Sequence, residues 1–338
     1  MKFVRNILEN VEENKMENND ILLVKNYQSD ETIRKMYEKS FGKILTYFKI
    51  SRLSGGLKNA VYLIEDSDKK IVLKIAPKDE NKMVTLDRNI LWWEAEVLKL
   101  IGNLEIKVPT LLNYDDSLEI CDSPYIFMTY IDGENFLDNR KKLSSFQIER
   151  IEYELGEISS KLCSIKSDKF FLPCQPDVTF SNNYEFISNL FRLLLNDATS
   201  KQIIINKTNF DDIMNLIEVN KDHLNNISNI CLAHCDLWDG NVLVNDGKLS
   251  GILDFSDAYF CDELMTFYFH TVDGITSKHF LKGFNKNKLN YDEKVRIEIY
   301  RLYVLLKMII DVEFKRYGKY NWMYEKFDNQ YKKIKKLK

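Results

Sequence analysis

The chain has 338 residues, of which 45% are hydrophobic and 29% are charged, and its formal net charge is -3. This length can bury the cores of two lobes or domains, and the composition is typical of a globular protein. The small net charge excludes a general attraction to nucleic acid or to an anionic membrane surface, so neither partner is expected.

Cysteine usage and the apolar pattern bear on the cellular location of the protein. The six cysteines form no Cys-x-x-Cys pair, so we expect reduced thiols in a cytoplasmic protein. No apolar run reaches the roughly 20 residues that a membrane helix requires. The first twenty residues soon become acidic and are not typical of a signal peptide. The lysine-rich C-terminal end is interpreted as a solvated terminus.

The first part of the chain mixes helical and strand patterns. Apolar residues that recur every three or four positions predict helices over 3–16, 30–48 and 86–101. Short apolar and β-branched runs predict strands over 48–53, 60–65, 70–76, 108–112 and 125–130.

After residue 133 helical patterns dominate. They predict helices over 145–166, 184–196, 208–228, 261–273, 275–284 and 291–315, interrupted by short strands over 241–245 and 248–254. The sequence therefore predicts an α+β protein with a β-rich N-terminal lobe over 1–130, a mainly helical C-terminal lobe over 131–338, and a hinge near 128–134.

The most informative segment is LAHCDLWDGNVLVNDGKLSGILDF, residues 232–255. It contains His234-x-Asp236, then Asn241, and thirteen positions later Asp254 at the end of an apolar run. Phosphoryl transfer requires these groups: Asp236 would accept the proton of an attacking hydroxyl, and Asn241 and Asp254 would hold Mg²⁺ against the phosphates of ATP. We expect His234 to brace the loop through hydrogen bonds. A surface loop with two unrelated aspartates does not account for four matching residues at this spacing.

A lysine lies inside an otherwise apolar strand pattern, Val-Leu-Lys74-Ile. Such a lysine is costly to bury unless it is paired, and kinases use one to hold the α- and β-phosphates. Glu94 on the following helix is the expected partner, because Glu96 would face elsewhere on that helix. Taken alone, Lys74 is more typical of a snorkelling edge-strand lysine, and the Asp and Asn residues downstream reverse that preference.

Two further segments are candidates for nucleotide contact. The turn at Ser54, Gly55 and Gly56 could bring backbone N–H groups to phosphate oxygens, although any hairpin is able to carry such glycines. Backbone groups near Met128 and Tyr130 could hydrogen-bond a purine, although a plain strand-to-loop transition has the same pattern.

An acidic set follows Asp254. Together with Asp236 and Asp239, the side chains of Asp257, Asp262 and Glu263 could form a negative pocket for a cationic acceptor. The alternative is a set of helix N-terminal acids that complement the helix dipole, and this reading is preferred for Asp262 and Glu263.

These motifs resemble the aminoglycoside phosphotransferase and choline kinase superfamily, the small-molecule branch of the protein-kinase-like fold. LAHCDLWDGNVLV is similar to the catalytic loop of that family, GILDFSDA to its metal segment, and WEAEVLKLI to its glutamate helix. The resemblance covers about residues 40–310. It implies a bilobal protein-kinase-like fold, ATP or GTP and Mg²⁺ as cofactors, Asp236 as base, Asn241 and Asp254 as metal ligands, and Lys74 as a phosphate contact held by Glu94.

The departures from the kinase pattern bear on the acceptor. Trp238 stands where protein kinases carry a lysine, two residues after the catalytic aspartate, and no Ala-Pro-Glu segment follows. Both features favour a small-molecule acceptor over a protein. Cys235 and Cys163 replace residues common in the family, and neither change touches the chemistry.

The identity of the acceptor stays open in the sequence. An aminoglycoside-like antibiotic is the first expectation, whereas choline, ethanolamine, a sugar or a fructosamine is an alternative, the last because Asp-Leu-Trp also resembles fructosamine kinases. We expect the acceptor pocket between the predicted helices of 145–228 and 261–315. The rival function is a non-catalytic kinase-like binding protein, which would be expected to lack one of Lys74, Asp236 or Asp254.

Overall fold

The computed structural model describes residues 25–43, 49–53, 58–66, 69–205, 208–266, 277–315 and 320–337. The helix predicted over 3–16 and the turn at 54–56 lie outside these ranges. Among the described helices, none combines the length and the apolar character needed to span a bilayer.

The N-terminal part is built on a five-stranded antiparallel sheet, in the order β1-β2-β3-β5-β4. The strands are β1 (Lys49–Arg52), β2 (Ala60–Asp66), β3 (Lys69–Ile75), β4 (Leu111–Asp115) and β5 (Tyr125–Thr129). Two helices accompany this sheet, α1 (Asp30–Phe41) and α2 (Ile90–Ile101).

The two faces of this sheet belong to different cores. Side chains alternate along a strand, so Tyr125 and Phe127 of β5 pack with α1, whereas Ile126 and Met128 pack in the larger core that includes α2. Lys74 is the residue of β3 that pairs with Ile126. The sheet therefore presents Lys74 on the face that α2 covers.

Helix α1 ends earlier than predicted. Gly42 adopts a left-handed conformation (φ 64°) and its N–H donates to the carbonyl of Glu38, which closes the helix after Phe41. The prediction of a helix over 30–48 was therefore wrong at 42–43, and 44–48 lie outside the described residues.

Helix α2 and strand β4 are shifted from their predicted positions. The range 86–101 begins within a 3₁₀ turn, Thr85–Asp87, and Asn89 then adopts a left-handed conformation (φ 58°) before α2 begins. Strand β4 follows Pro109 instead of containing it, because proline cannot donate to a strand ladder.

The C-terminal part is mainly helical. Its helices are α3 (Phe136–Asn139), α4 (Ser145–Leu162), α5 (Asn183–Ser200), α6 (Phe210–Val219), α7 (Lys221–Asn225), α8 (Lys278–Gly283), α9 (Tyr291–Phe314) and α10 (Asn321–Ile334). Its strands are short: β6 (Glu134–Asn135), β7 (Lys166–Ser167), β8 (Phe170–Leu172), β9 (Gln175–Phe180), β10 (Ile230–Ala233), β11 (Val242–Asn245), β12 (Lys248–Ile252) and β13 (Tyr259–Asp262). They form the sheets β13-β10-β7 and β12-β11-β6 and the hairpin β8-β9.

The architecture is the predicted one, an α+β fold with an antiparallel sheet in the N-terminal region and a helical C-terminal part. The division into lobes at residue 130 stays a prediction.

Several predicted elements of the C-terminal part need correction. The helix over 208–228 is two helices divided at Asn220. The helix over 261–273 is wrong at its start, since 261–262 belong to β13, and 267–273 lie outside the described residues. All four residues of β13 are buried, so this short run carries no period that distinguishes strand from helix. Strands β8, β9 and β10 and helix α10 were not predicted.

The lysine-rich terminus is also more ordered than predicted. Helix α10 extends to Ile334 and buries Met323, Tyr324, Phe327 and Ile334. The lysines at its end line the exposed side of an amphipathic helix that packs on α9.

Helices α4 and α8 touch through their backbones. A Cβ atom at Gly156 would lie 2.2 Å from the carbonyl oxygen of Phe280, and one at Gly283 would lie 2.0 Å from that of Tyr153. The crossing therefore requires glycine on both helices.

Candidate active site

The catalytic segment, so named because residues 234–254 are predicted to hold the base and the metal ligands, begins where β10 ends. His234 is fully buried, its Nε2 lies 3.0 Å from the carbonyl oxygen of Leu253, and its Nδ1 accepts a hydrogen bond from the N–H of Asp236 at 3.2 Å. Burial lowers the pKa of His234 to about 4, so the ring is neutral at pH 7. The ring also lies against Phe255, with 4.6 Å between centroids. His234 thus joins the loop to the segment after β12.

Asn241 is oriented by Asp236. Its Nδ2 donates to the backbone oxygen of Asp236 and to its Oδ2, both at 2.8 Å. Its backbone oxygen accepts from the N–H of Leu253 at 2.8 Å. With the amide nitrogen committed to Asp236, the side-chain Oδ1 is the atom that Asn241 can offer to a cation.

Asp254 has an unusual backbone. Its φ is 67°, in the left-handed region that non-glycine residues seldom occupy, and Cys235, next to Asp236, has a φ of 53°. Strained residues of this kind cluster at functional sites, and here they flank both halves of the catalytic segment. Burial raises the pKa of Asp254, but Lys74 outweighs it, so the net shift is downward and the carboxylate is ionised.

A buried ion pair connects the N-terminal sheet to this segment. The Nζ of Lys74 lies 2.7 Å from Glu94 Oε2 and 2.8 Å from Asp254 Oδ1. Glu94 is 1% exposed and Lys74 is 8% exposed, so each buried charge is stabilised by the opposite charge of its partner. The indole N–H of Trp93 donates to the carbonyl of Ala258, which ties α2 to the turn after Asp254. The structure thus brings Lys74, Glu94 and Asp254 together.

Asp236 lies in a strongly charged environment. Burial, together with the nearby carboxylates of Asp257 and Asp254, raises the pKa of Asp236 well above its usual range, and Lys58 and Lys307 oppose this shift. A carboxylate with raised basicity beside the metal segment is suited to accept a hydroxyl proton.

Sequence reasoning missed an ionic cluster next to Asp257. The Nζ of Lys58 lies 2.7 Å from Asp87 Oδ1 and 3.2 Å from Asp257 Oδ2. Lys307 also forms an ion pair with Asp257, and Lys315 lies 3.4 Å from Asp87. The only signal in the sequence is the lysine at 307, which interrupts an apolar helix. The charge of Asp257 is thus already matched by two lysines, which weakens its predicted role in a negative acceptor pocket.

Asp262 and Glu263 are not brought to the catalytic segment. Asp262 is 1% exposed and accepts from Arg296 Nε and the hydroxyl of Tyr300, each at 2.8 Å. Glu263 pairs with Lys286 at 2.7 Å. Asp262 lies opposite the start of β10, and the catalytic loop follows its end. Their predicted contact with an acceptor is therefore not supported. Asp262 ends β13, and its Oδ1 accepts from the N–H of Leu264 at 3.4 Å in the 3₁₀ turn over 263–266, which is consistent with the alternative of a helix N-terminal acid.

The contact of Met128 and Tyr130 with a nucleotide stays a prediction. Met128 is buried on the same face as Lys74, and the N–H of Tyr130 donates to the carbonyl of Lys70 at 3.4 Å. Ser54, Gly55 and Gly56 lie outside the described residues.

The residues present fit a magnesium ion. Mg²⁺ is usually held by one or two carboxylates together with phosphate oxygens and water. Asp254 supplies an ionised carboxylate and Asn241 an amide oxygen. No group of three or more His, Cys, Asp or Glu side chains within the described part of the chain could hold a metal alone.

Comparison with known proteins agrees with this geometry. The model of the phosphotransferase enzyme family (APH) matches residues 49–270, and the chain belongs to that family. Comparison with curated protein sequences gives no match.

Solved structures share the fold at low identity. A putative fructosamine-3-kinase from Haemophilus somnus is 18% identical with a TM-score of 0.65, and the match covers 90% of this chain and 97% of that one. The streptomycin–ATP complex of the aminoglycoside phosphotransferase APH(2")-IIa is 20% identical with a TM-score of 0.59, covering 91% and 97%. A mutant of APH(4)-Ia with AMP-PNP and hygromycin B is 15% identical with a TM-score of 0.60, covering 89% and 98%. The fold is therefore the bilobal protein-kinase-like one.

Proposed function

We propose that the protein is a magnesium-dependent kinase that transfers the γ-phosphoryl group of ATP or GTP to a hydroxyl of a small molecule. The observation that carries this proposal is the position of Lys74, whose ammonium contacts both Glu94 and Asp254. In kinases, activity requires both the ion pair between this lysine and the helix glutamate and a correctly placed metal-binding aspartate.

The chain's own residues have separate roles in this proposal. Lys74 holds the α- and β-phosphates, and Asn241 and Asp254 hold the cation. Mg²⁺, when bound, neutralises charge on the phosphates and orients them. Asp236 hydrogen-bonds the acceptor hydroxyl and receives its proton. His234 keeps the backbone of Asp236 next to the metal segment.

For the acceptor, an aminoglycoside-like antibiotic is the first candidate. The family match and the aminoglycoside complexes among similar structures support it. A fructosamine is the second candidate, supported by the similarity to a putative fructosamine-3-kinase. Choline, ethanolamine and simple sugars complete the set. We place the enzyme in the cytoplasm, because none of its six cysteines is in a disulfide bond.

The test is a coupled assay for release of ADP or GDP with Mg²⁺ and a panel of aminoglycosides, fructosamines, choline, ethanolamine and sugars. We expect turnover with one acceptor class and none without Mg²⁺. Binding of Mg·ATP without turnover on any acceptor would favour the rival, a non-catalytic kinase-like binding protein.

A further inference from the structure

A second lysine reaches the segment that carries the metal aspartate. Lys74 contacts Asp254, and Lys58 contacts Asp257, three positions further on in the same 3₁₀ turn. Lys58 also contacts Asp87, which ends the 3₁₀ turn just before α2. Two lysines from the N-terminal sheet region thus lie on one turn of the C-terminal part.

The two lysines reach neighbouring positions of one turn. Val61 of β2 lies opposite Lys74 of β3, and Lys58 lies in the bend just before β2 begins at Ala60. Their ammonium groups contact Asp254 and Asp257, which are three positions apart in the chain. A nucleotide whose α- and β-phosphates contact Lys74 would therefore extend its γ-phosphate toward Lys58.

Lys58 also lies close to the catalytic aspartate. Burial lowers the pKa of Lys58, but Asp257 and Asp87 outweigh it, so the net shift is upward and the ammonium stays charged. The charge of Lys58 opposes the upward shift of the pKa of Asp236. Its ammonium contacts Asp257, in the same short turn that follows Asp254.

Lys58 can leave its carboxylate partners without stranding them. Asp257 keeps its ion pair with Lys307, and Asp87 keeps Lys315 at 3.4 Å and Lys307 at 3.8 Å. An exchange of partners by Lys58 consequently leaves neither buried carboxylate unpaired.

We propose that Lys58 binds the γ-phosphoryl group as it is transferred, and so supplies a cationic contact of the kind that Trp238 cannot provide in the catalytic loop. This inference rests on the proposed function. In the step, the bond from phosphorus to the β,γ-bridging oxygen breaks and the bond to the acceptor oxygen forms. Asp236 receives the hydroxyl proton, ADP leaves, and Lys58 remains protonated throughout. Its ammonium stabilises the equatorial oxygens on which charge accumulates.

The test compares the affinities of Mg·ATP and Mg·ADP by isothermal titration calorimetry. For Lys58→Met we expect Mg·ATP affinity to fall roughly tenfold to a hundredfold, the range of a hydrogen bond to a charged group, with Mg·ADP affinity retained. Lys58→Arg should restore most of the difference because it keeps the charge. Lys49→Met, which removes an exposed lysine of β1 with a 72% exposed side chain, should change neither affinity.

The alternative role for Lys58 is that of a purely structural ion pair. An equal loss of affinity for both nucleotides, or no loss for either, would overturn the proposal. If Lys58→Met does not fold, as judged by thermal unfolding, Lys58→Gln is measured in its place, since it can still donate to Asp87 and Asp257. Failure of the unmodified protein to bind either nucleotide would instead reject the proposed function itself, and the proposal for Lys58 with it.

Discussion

The ammonium of Lys74 lies 2.8 Å from Oδ1 of Asp254, although the two residues are 180 positions apart in the chain. One comes from the third strand of the N-terminal sheet and the other follows β12 of the C-terminal part. This contact joins the two parts of the molecule at the point where the phosphates of a nucleotide would lie, and Glu94 holds the lysine from the side of α2.

Removing Lys74 alone should be costly. Lys74→Met leaves Glu94 buried without its cation, and we expect a loss of about 3–5 kcal/mol in the free energy of unfolding. The double variant Lys74→Met/Glu94→Leu should recover most of this stability and still fail to bind Mg·ATP. Urea unfolding and calorimetric titration measure the two effects separately. A double variant no more stable than the single one would contradict the assignment of the cost to a stranded charge.

Asp254→Asn removes the carboxylate while keeping a residue that tolerates a left-handed backbone. We expect Mg²⁺-dependent nucleotide affinity to fall at least about tenfold, since Mg²⁺ prefers anionic oxygen ligands. Titrating Mg²⁺ at fixed ATP measures this effect. An unchanged Mg²⁺ dependence would reject Asp254 as a metal ligand.

Asp236→Asn should abolish transfer while nucleotide binding persists. Loss of a positioned base lowers kcat by about 10²–10⁴. The matched control is Asp246→Asn, in the exposed β11–β12 turn, where asparagine is compatible with the positive φ of 49°. Steady-state rates with the accepted substrate measure the effect. Near-normal kcat in Asp236→Asn would remove this residue from the chemistry.

The buried His234 should give stability a pH dependence. Its pKa is about 4 in the folded protein against an ordinary value of 6.5. Between these values the unfolded chain binds a proton that the folded chain does not, so stability falls as pH falls from 6.5 to about 4, by roughly 3 kcal/mol in total. Urea unfolding of the unmodified protein and of His234→Asn should therefore converge toward acid pH. Parallel curves would show that His234 is not the titrating group.

The crossing of α4 and α8 should not tolerate a side chain. Gly156→Ala places a Cβ against backbone, and we expect a loss of about 1–3 kcal/mol or more. Gly102→Ala is the matched control: its nearest contacts are at 3.4 Å and its backbone is right-handed, so it should be neutral or stabilising. Thermal unfolding compares the two, and equal melting temperatures would contradict the close approach.

The catalytic segment could be predicted because it is local. His234, Asp236, Asn241 and Asp254 lie within 21 positions, and short strand signals between them fix their relative placement. Glu94 could be chosen over Glu96 because helical spacing separates their faces, and the structure pairs Glu94 with Lys74.

The ionic cluster around Asp257 could not be predicted in the same way. Its members come from four distant parts of the chain, and a lone lysine or aspartate in a sequence has no local pattern that reveals its partner. The acidic residues after Asp254 illustrate this: only the three-dimensional contacts show that Asp257 faces lysines and that Asp262 faces Arg296.

The left-handed backbone at residue 254 also restricts how this protein can evolve. Glycine and asparagine fit there with little strain, whereas a β-branched side chain does not. A related protein that no longer transfers phosphoryl groups can therefore replace Asp254 by only a few residue types without destabilising the fold. Inactive relatives that keep the fold should therefore have glycine or asparagine at this position. Other residues there would indicate that the fold itself has been destabilised.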